Sequence, residues 1–347
     1  MNIEQQQHIV GDRIDTLIAL DIPARGVIGQ LYAMARHRCN APLCLQAARK
    51  LKNALQGKGT VFIVTGWHDR PAINSKIAET DGPLGAVVLA TALHKVAGII
   101  PFVLVADNLV NSVKALLCAV GLKPLEIEEA LTGTEKSPSP VHTGVVLEFP
   151  KNSAQAQSRA KHLLETYQPG AVIAIEVGGI NEQGAIHTFR GEVVTDENPK
   201  FDHLFRQASE AGILTIGIGD GGNELGFGSI HDQVAEEIPK GEDAKGGGIA
   251  PITPVDVLVP AAVSNWGAYG IVANLAFLER NIALAHTLEQ EQRLLATSVQ
   301  QGLIDGISGY VHPSVDGLAA SIHQSVITLL KQVVASALEK LENDCKN

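Results

Sequence analysis

The chain lacks any apolar run approaching the roughly 20 residues that a membrane-spanning helix needs, so no membrane partner is expected. Cysteine is scarce: Cys39, Cys44, Cys118 and Cys345 are four in 347 residues, and their spacing suggests neither metal-ligand pairs nor a disulfide framework. Core or surface thiols in a reducing cytoplasm are the expectation. Basic residues are outnumbered, 27 Lys and Arg against 37 Asp and Glu, and the net charge of -10 argues against a nucleic-acid or anionic-lipid surface. Met1 to Val10 is Gln-rich and polar, unlike a signal or transit peptide. A Walker A sequence, a His-Glu-x-x-His helix and a serine nucleophile elbow are all missing. So are internal repeats and low-complexity segments.

What is present is a chain 45% hydrophobic and only 18% charged, enough to bury a large core. Short Val- and Ile-rich runs alternate with helical patterns, which predicts an α/β fold with a largely parallel sheet and helices on both faces. Strands are expected at Thr60–Thr65, Ile99–Ala106, Thr143–Phe149, Ala171–Val177, Ile213–Gly219 and Val255–Pro260. Helices are expected at Pro83–Val96, Val110–Val120, Ser153–Tyr167 and Phe201–Ala211. The 3.6-residue recurrence from Leu318 to Leu341 predicts a closing helix. Residues 1–56 read as a mostly helical lead-in packed on a single α/β domain spanning 1–347. Glu129–Pro140 and Pro239–Pro254 read as exposed connections. Ligands of open α/β sheets bind beyond the carboxyl ends of the strands, so the residues there matter most.

The densest signal follows the strand ending at Gly219. The stretch Gly217-Ile-Gly-Asp-Gly-Gly-Asn-Glu-Leu-Gly-Phe-Gly228 sets Asp220, Asn223 and Glu224 among glycines that permit positive φ and close backbone approach. Gly217, Gly219 and Gly222 match the dinucleotide-binding spacing, but the loop continues where that motif needs a helix to open, so no nucleotide cofactor is expected. Glu79-Thr-Asp-Gly-Pro83 reads equally as a helix cap by Asp81 or as part of a site, and small Gly85, Ala86 and Ala90 would let that helix sit close to the sheet. Glu176, in an apolar strand, is costly to bury without a partner or a metal. Downstream, His187 and Arg190 are loop residues, and Arg190 could hold a substrate carboxylate by a bidentate pair. Asp107 reads as a turn residue, Ser264 as a cap with Trp266 in the core, and Ser314 and Asp316 as caps of the last helix. Converging carboxylates without a matching His or Cys set favour a hard cation, Mg²⁺ or Mn²⁺.

Glu79-Thr-Asp-Gly-Pro83, Ile175-Glu176, Gly217-Ile-Gly-Asp-Gly-Gly-Asn-Glu224, Ser264-Asn-Trp-Gly267 and Ser314-Val-Asp-Gly317 occur in order, and together they resemble the carboxyl-terminal catalytic region of D-glutamate cyclases. The resemblance spans about Arg25 to the final helix. It implies a lyase that dehydrates D-glutamate to 5-oxo-D-proline on an α/β fold with a divalent metal, similar in appearance to metal-dependent phosphohydrolases. On that basis Asp81, Asp220 and Glu224 form the expected metal core, with Glu79 and Glu176 beside them. Glu224 or His187 would carry the proton, next to Asp220. Gly221, Gly222, Asn223, Ser264, Asn265 and Arg190 would line the substrate. Val177-Gly-Gly179 stands where the family commonly has an Arg-containing run, and Phe227 where it commonly has Met. A phosphohydrolase of small phosphate esters and a non-enzymatic module for an acidic metabolite are the rival readings. A small acidic molecule is the expected partner, and homo-oligomerisation stays open.

Overall fold

The computed structural model describes residues 2–136, 139, 141–241 and 246–344. The expected strands form as β1 (Thr60–Thr65), β2 (Ile100–Val105), β4 (Thr143–Glu148), β5 (Ala171–Ile175), β6 (Leu214–Gly219) and β7 (Val257–Pro260), joined at one edge by the two-residue β3 (Lys123–Pro124). They make one seven-stranded sheet in the order β3-β4-β2-β1-β5-β6-β7, every pairing parallel. The chain winds outward from β1 to one edge, then returns to β5 and winds to the other. The order therefore reverses between β1 and β5, where parallel sheets open a crevice at their carboxyl ends.

Alternate strand residues face opposite layers. Val61 and Ile63 of β1 and Ile173 and Ile175 of β5 join the larger core. It is covered by α1 (Ile3–Ile18), α2 (Ile28–His37), α3 (Leu43–Ala54), α4 (Pro83–Ala97), α5 (Val110–Ala119), α10 (Ser264–Leu278), α11 (Leu288–Gln300) and α12 (Ala320–Asp344). Phe62, Val64, Val172 and Ala174 face the smaller core under α6 (Ile127–Lys136), α7 (Ser153–Tyr167) and α8 (Asp202–Glu210). A short α9 (His231–Glu237) follows the glycine loop. None of the described helices is long and apolar enough to cross a membrane.

Three expectations need correction. The segment read as an exposed connection from Glu129 begins inside α6, which runs to Lys136; residues 137, 138 and 140 lie outside the described ones. The last helix starts at Ala320, not Leu318, because Ser314–Val315 (β8) and Leu318–Ala319 (β9) form an antiparallel hairpin. Its two central residues, Asp316 (φ 55°) and Gly317 (φ 75°), are both left-handed. Asp-Gly with two positive φ values is the type I′ signature that suits right-twisted strands, so Ser314 and Asp316 are not helix caps. The predicted strand at Val255 begins only at Val257, since the Asp256 carboxylate already accepts the Thr215 N–H at 2.8 Å. Cys39, Cys44 and Cys118 are free thiols, Cys44 buried and Cys118 exposed; Cys345 lies outside the described residues.

α4 and α10 are apolar all round and buried almost throughout, as central helices must be. They cross where Gly85 meets Asn265. A Cβ on Gly85 would lie 2.9 Å from the Asn265 Cα and 3.1 Å from the Ala268 Cβ. Gly85 thus lets α4 seat closely against α10 while the helix also packs on β1 and β2 of the sheet. A Gly-to-Ala change inside a helix normally stabilises by about 1 kcal/mol. Here Gly85→Ala is expected to destabilise by about 1–3 kcal/mol through overpacking. Gly29→Ala in α2, where the added methyl meets nothing within 4 Å, is the control, expected neutral or stabilising. Denaturant titrations of both variants check this, and a stabilised Gly85→Ala would contradict the packing.

Candidate active site

At the end of β6 the chain turns through Gly219-Asp220-Gly221-Gly222-Asn223, and Glu224 folds its side chain back into the loop. Its Oε1 accepts the N–H groups of Asp220 (3.2 Å) and Gly221 (2.8 Å), and its Oε2 accepts that of Gly222 (2.8 Å). The glycines make this approach possible. A Cβ on Gly219 would lie 2.8 Å from the Glu224 carboxylate, and Gly222 has φ 94°. Asn223 donates its Nδ2 to the His187 carbonyl at 3.0 Å, tying on the loop that carries Phe189 and Arg190. Val177-Gly178-Gly179 also has a packing role, since a Cβ on Gly178 would lie 2.7 Å from Trp67 and one on Gly179 3.0 Å from the Leu225 Cα.

The Glu79–Pro83 segment solves a different problem. Asp81 does not cap its own helix. Its Oδ2 accepts Ser264 N–H (2.8 Å) and its Oδ1 accepts Asn265 N–H (2.9 Å), the first N–H groups of α10. Asn265 returns the favour, its Oδ1 accepting Gly82 N–H (3.1 Å) and Gly85 N–H (2.6 Å) at the start of α4. Each helix thus caps the other, and both positive ends face the same crevice. Ser264, the first residue of α10 and not its cap, donates its hydroxyl to Glu176 Oε2 at 2.5 Å. Glu176 lies just past β5 in a left-handed conformation, φ 50°. Such a geometry costs a non-glycine residue of order 1 kcal/mol and clusters at functional sites.

These elements bring carboxylates together. Oxygens of Asp81, Asp220 and Asp316 lie within 4.8 Å of one another, and so do those of Glu176, Asp220 and Glu224. Asp220 belongs to both groups. The cation at the cluster is Arg25, whose Nη1 donates to Asp220 Oδ2 at 2.7 Å. Its Nη2 lies 3.3 Å from Asp316 Oδ2, near enough for an ion pair, yet that buried oxygen takes no hydrogen bond among the described residues. Burial first, and then the charge of Asp220, push Asp81 up to about 7 and Glu224 to about 8. The same two causes hold Glu176 well above the carboxylate range. Burial and then Asp81 do so for Glu79 and for Asp316.

Of the residues expected at the site, Asp81, Glu176, Asp220 and Glu224 converge, with Gly221, Gly222, Asn223, Ser264 and Asn265 around them. Glu79 is buried next door, in neither carboxylate group, with its carboxylate where a side chain on Gly306 would be. His187 is buried with its ring against Gly246. Arg190 is exposed, and its carbonyl accepts from Lys240. Asp107 is a turn residue paired with Lys151 at 2.9 Å. Arg25 and Asp316 were missed as site residues. The Asp-Gly pair at 316–317 was a legible hairpin signal; for Arg25 no local signal exists. All the clustered donors are carboxylates, which fits a hard divalent cation and not a thiophilic one. Asp316 Oδ2, ion-paired with Arg25 but without a hydrogen bond among the described residues, is compatible with it too.

A family model described as D-glutamate cyclase-like, C-terminal, matches residues 14–331. The human mitochondrial D-glutamate cyclase is 30% identical over 282 residues, covering 76% of this chain and 38% of that protein. The chain therefore spans well under half the length of this relative. Since the relative is mitochondrial, it lends no weight to the cytoplasmic location expected from the cysteines.

A pH dependence follows from the clustered acids. Raised carboxylates keep protons in the folded state that the unfolded chain has released above about pH 4. The native state then binds more protons, so its stability falls as pH rises. The loss should run through the interval up to about 7 for Asp81 and about 8 for Glu224. Thermal melts in chelator at pH 5.5 and pH 8 are expected to show the lower Tm at pH 8. A higher Tm there would contradict the clustering.

Proposed function

The chain belongs to the D-glutamate cyclase-like family, and on that premise we propose that it is a lyase closing D-glutamate to 5-oxo-D-proline and water. The observation that carries this reading is the convergence of Asp81, Glu176, Asp220, Glu224 and Asp316 at the reversal point of the sheet. In the reaction the α-nitrogen attacks the γ-carboxyl carbon. The ammonium gives up two protons, the departing oxygen takes two, and no proton is gained or lost overall. The site must therefore accept and return protons near neutral pH, which ordinary carboxylates do poorly and raised ones do well.

Glu176 is the proposed proton carrier. Its single described hydrogen bond, from Ser264, leaves it less committed than Glu224 or Asp81, whose oxygens already accept backbone N–H groups. Those two are better suited to holding the glycine loop and the α10 terminus in place. The reaction also gains from folding the substrate so that amine and carboxyl meet, a proximity effect on the order of 7 kcal/mol or more. A Mg²⁺ or Mn²⁺ held by Asp220 with the acids on either side would supply charge neutralisation to the otherwise repelled γ-carboxylate.

Proton NMR of the Mn²⁺-loaded protein with D- or L-glutamate tests the proposal. The D-form alone is expected to become 5-oxoproline. Glu176→Gln should lower kcat by about 10²-fold or more, as loss of a general acid–base does, with the melting curve preserved. An unimpaired Glu176→Gln enzyme would remove Glu176 from the reaction. Release of phosphate from aryl esters with no action on glutamate would favour a phosphohydrolase.

A further inference from the structure

Of the described ion pairs, only those of Arg25 reach the carboxylate cluster. Arg25 enters from outside, on the turn between α1 and α2, where Leu20, Ile22, Pro23, Ala24 and Gly26 are exposed. The turn is closed by its own residues. Asp21 accepts the N–H groups of Arg25 (3.0 Å) and Gly26 (2.7 Å), with Ala24 at φ 55° and Gly26 at φ 81°. The guanidinium makes one short bond, to Asp220 at 2.7 Å, and a long one of 3.3 Å to the Asp316 carbonyl. Beside Asp316 Oδ2 it forms an ion pair without a hydrogen bond. Its side chain stays 25% exposed, so a path out to solvent is open.

Arg25 therefore holds the carboxylate that both acid groups share. A divalent cation bound through Asp220 would place two positive charges within a few ångströms of the guanidinium, and the two could not share the site without strong repulsion. A second buried polar group lies unpaired on the Glu176 side of the cluster. The Thr65 hydroxyl, fully buried at the end of β1, has no hydrogen-bond partner among the described residues. It faces Gly82 beside Glu176, and a Cβ on Gly82 would lie 2.8 Å from both the hydroxyl and the Glu176 Cβ.

We propose that Arg25 is an exchangeable counter-ion: it neutralises Asp220 and Asp316 in the cation-free site, yields them to a divalent cation, and then pairs with the carboxylate of the substrate that the reaction leaves intact. The last step rests on the D-glutamate reading; the exchange itself does not. Cyclisation consumes the γ-carboxylate and keeps the α-carboxylate, so the product still carries the group that Arg25 would hold. A planar guanidinium on a side chain that reaches solvent suits bidentate capture of that group.

Calorimetric titration of Mn²⁺ into metal-stripped wild type, Arg25→Gln and Asp220→Asn tests the exchange. Removing the competing charge is expected to tighten Mn²⁺ binding at least about tenfold in Arg25→Gln, while Asp220→Asn loses it. Equal or weaker binding by Arg25→Gln, or none by wild type, would overturn the exchange. Binding of 5-oxo-D-proline and 2-pyrrolidinone to the Mn²⁺-loaded proteins tests the last step, because the second ligand lacks only the carboxylate. Wild type should prefer 5-oxo-D-proline, Arg25→Lys should retain part of the preference, and Arg25→Gln should lose it. A preference that survives in Arg25→Gln overturns the substrate role. If wild type binds neither ligand, the last step falls with the D-glutamate reading, and the Mn²⁺ titration decides the exchange alone. Melting curves of Arg25→Gln and Arg25→Lys establish that both are folded, as expected for a side chain that reaches solvent from a surface turn.

Discussion

Asp81, Glu176, Asp220, Glu224 and Asp316 share one buried region, and a carboxylate leaves water at acceptable cost only if something replaces its hydration. Three replacements are visible. Backbone N–H groups serve Glu224 from the glycine loop and Asp81 from the first turn of α10. The Ser264 hydroxyl serves Glu176. The Arg25 guanidinium serves Asp220 and Asp316. These compensate only in part, which is why burial and mutual repulsion still raise most of the acids above their ordinary range. A site left short of positive charge is one prepared to receive some.

The scaffold is organised around that demand. The sheet order reverses between β1 and β5, and Thr65, Glu176 and Asp220 stand at or just past the ends of β1, β5 and β6. The reciprocal caps of α4 and α10 do two jobs at once. They satisfy N–H groups that a buried helix start would leave unpaired, and they fix Asp81 and Ser264 relative to one another. The hairpin that carries Asp316 is held from below by Asp305, whose Oδ2 accepts Gly317 N–H at 2.8 Å and whose Oδ1 accepts Ser308 N–H at 2.7 Å. Close glycine contacts at Gly85, Gly178 and Gly219 leave little room for these pieces to shift. The carboxylates are thus positioned by closely packed elements, whereas Arg25 reaches them from an exposed turn.

Regular elements were legible because their signals are local. Val- and Ile-rich runs bounded by glycine located β1 and β6 almost to the residue, and the 3.6-residue repeat located α12 apart from its first turn. The glycine loop was legible as a site because its acids and glycines adjoin in the chain. What could not be read is set by contacts between distant residues. Asp81 read equally as a cap of the helix that follows it or as part of a site; it joins the carboxylate cluster, and the helix it caps is α10, 183 positions away. Asp316 looked like a helix cap because a polar residue before an apolar period usually is one; its Asp-Gly turn told otherwise. Arg190 and Arg25 are both loop arginines, and nothing in their neighbours distinguishes the one that enters the cluster.

In the proposed reaction, substrate closes on itself within this cluster, against Asp220 and beneath the paired starts of α4 and α10. A crystal structure grown with Mn²⁺ and 5-oxo-D-proline tests it most directly, with data collected at the manganese edge. An anomalous peak within coordination distance of Asp220 and product density between Glu176 and Arg25 are the expected result. Product bound elsewhere, such as the cleft lined by His231, Asp232 and Glu236, with the acid cluster unchanged, would contradict it.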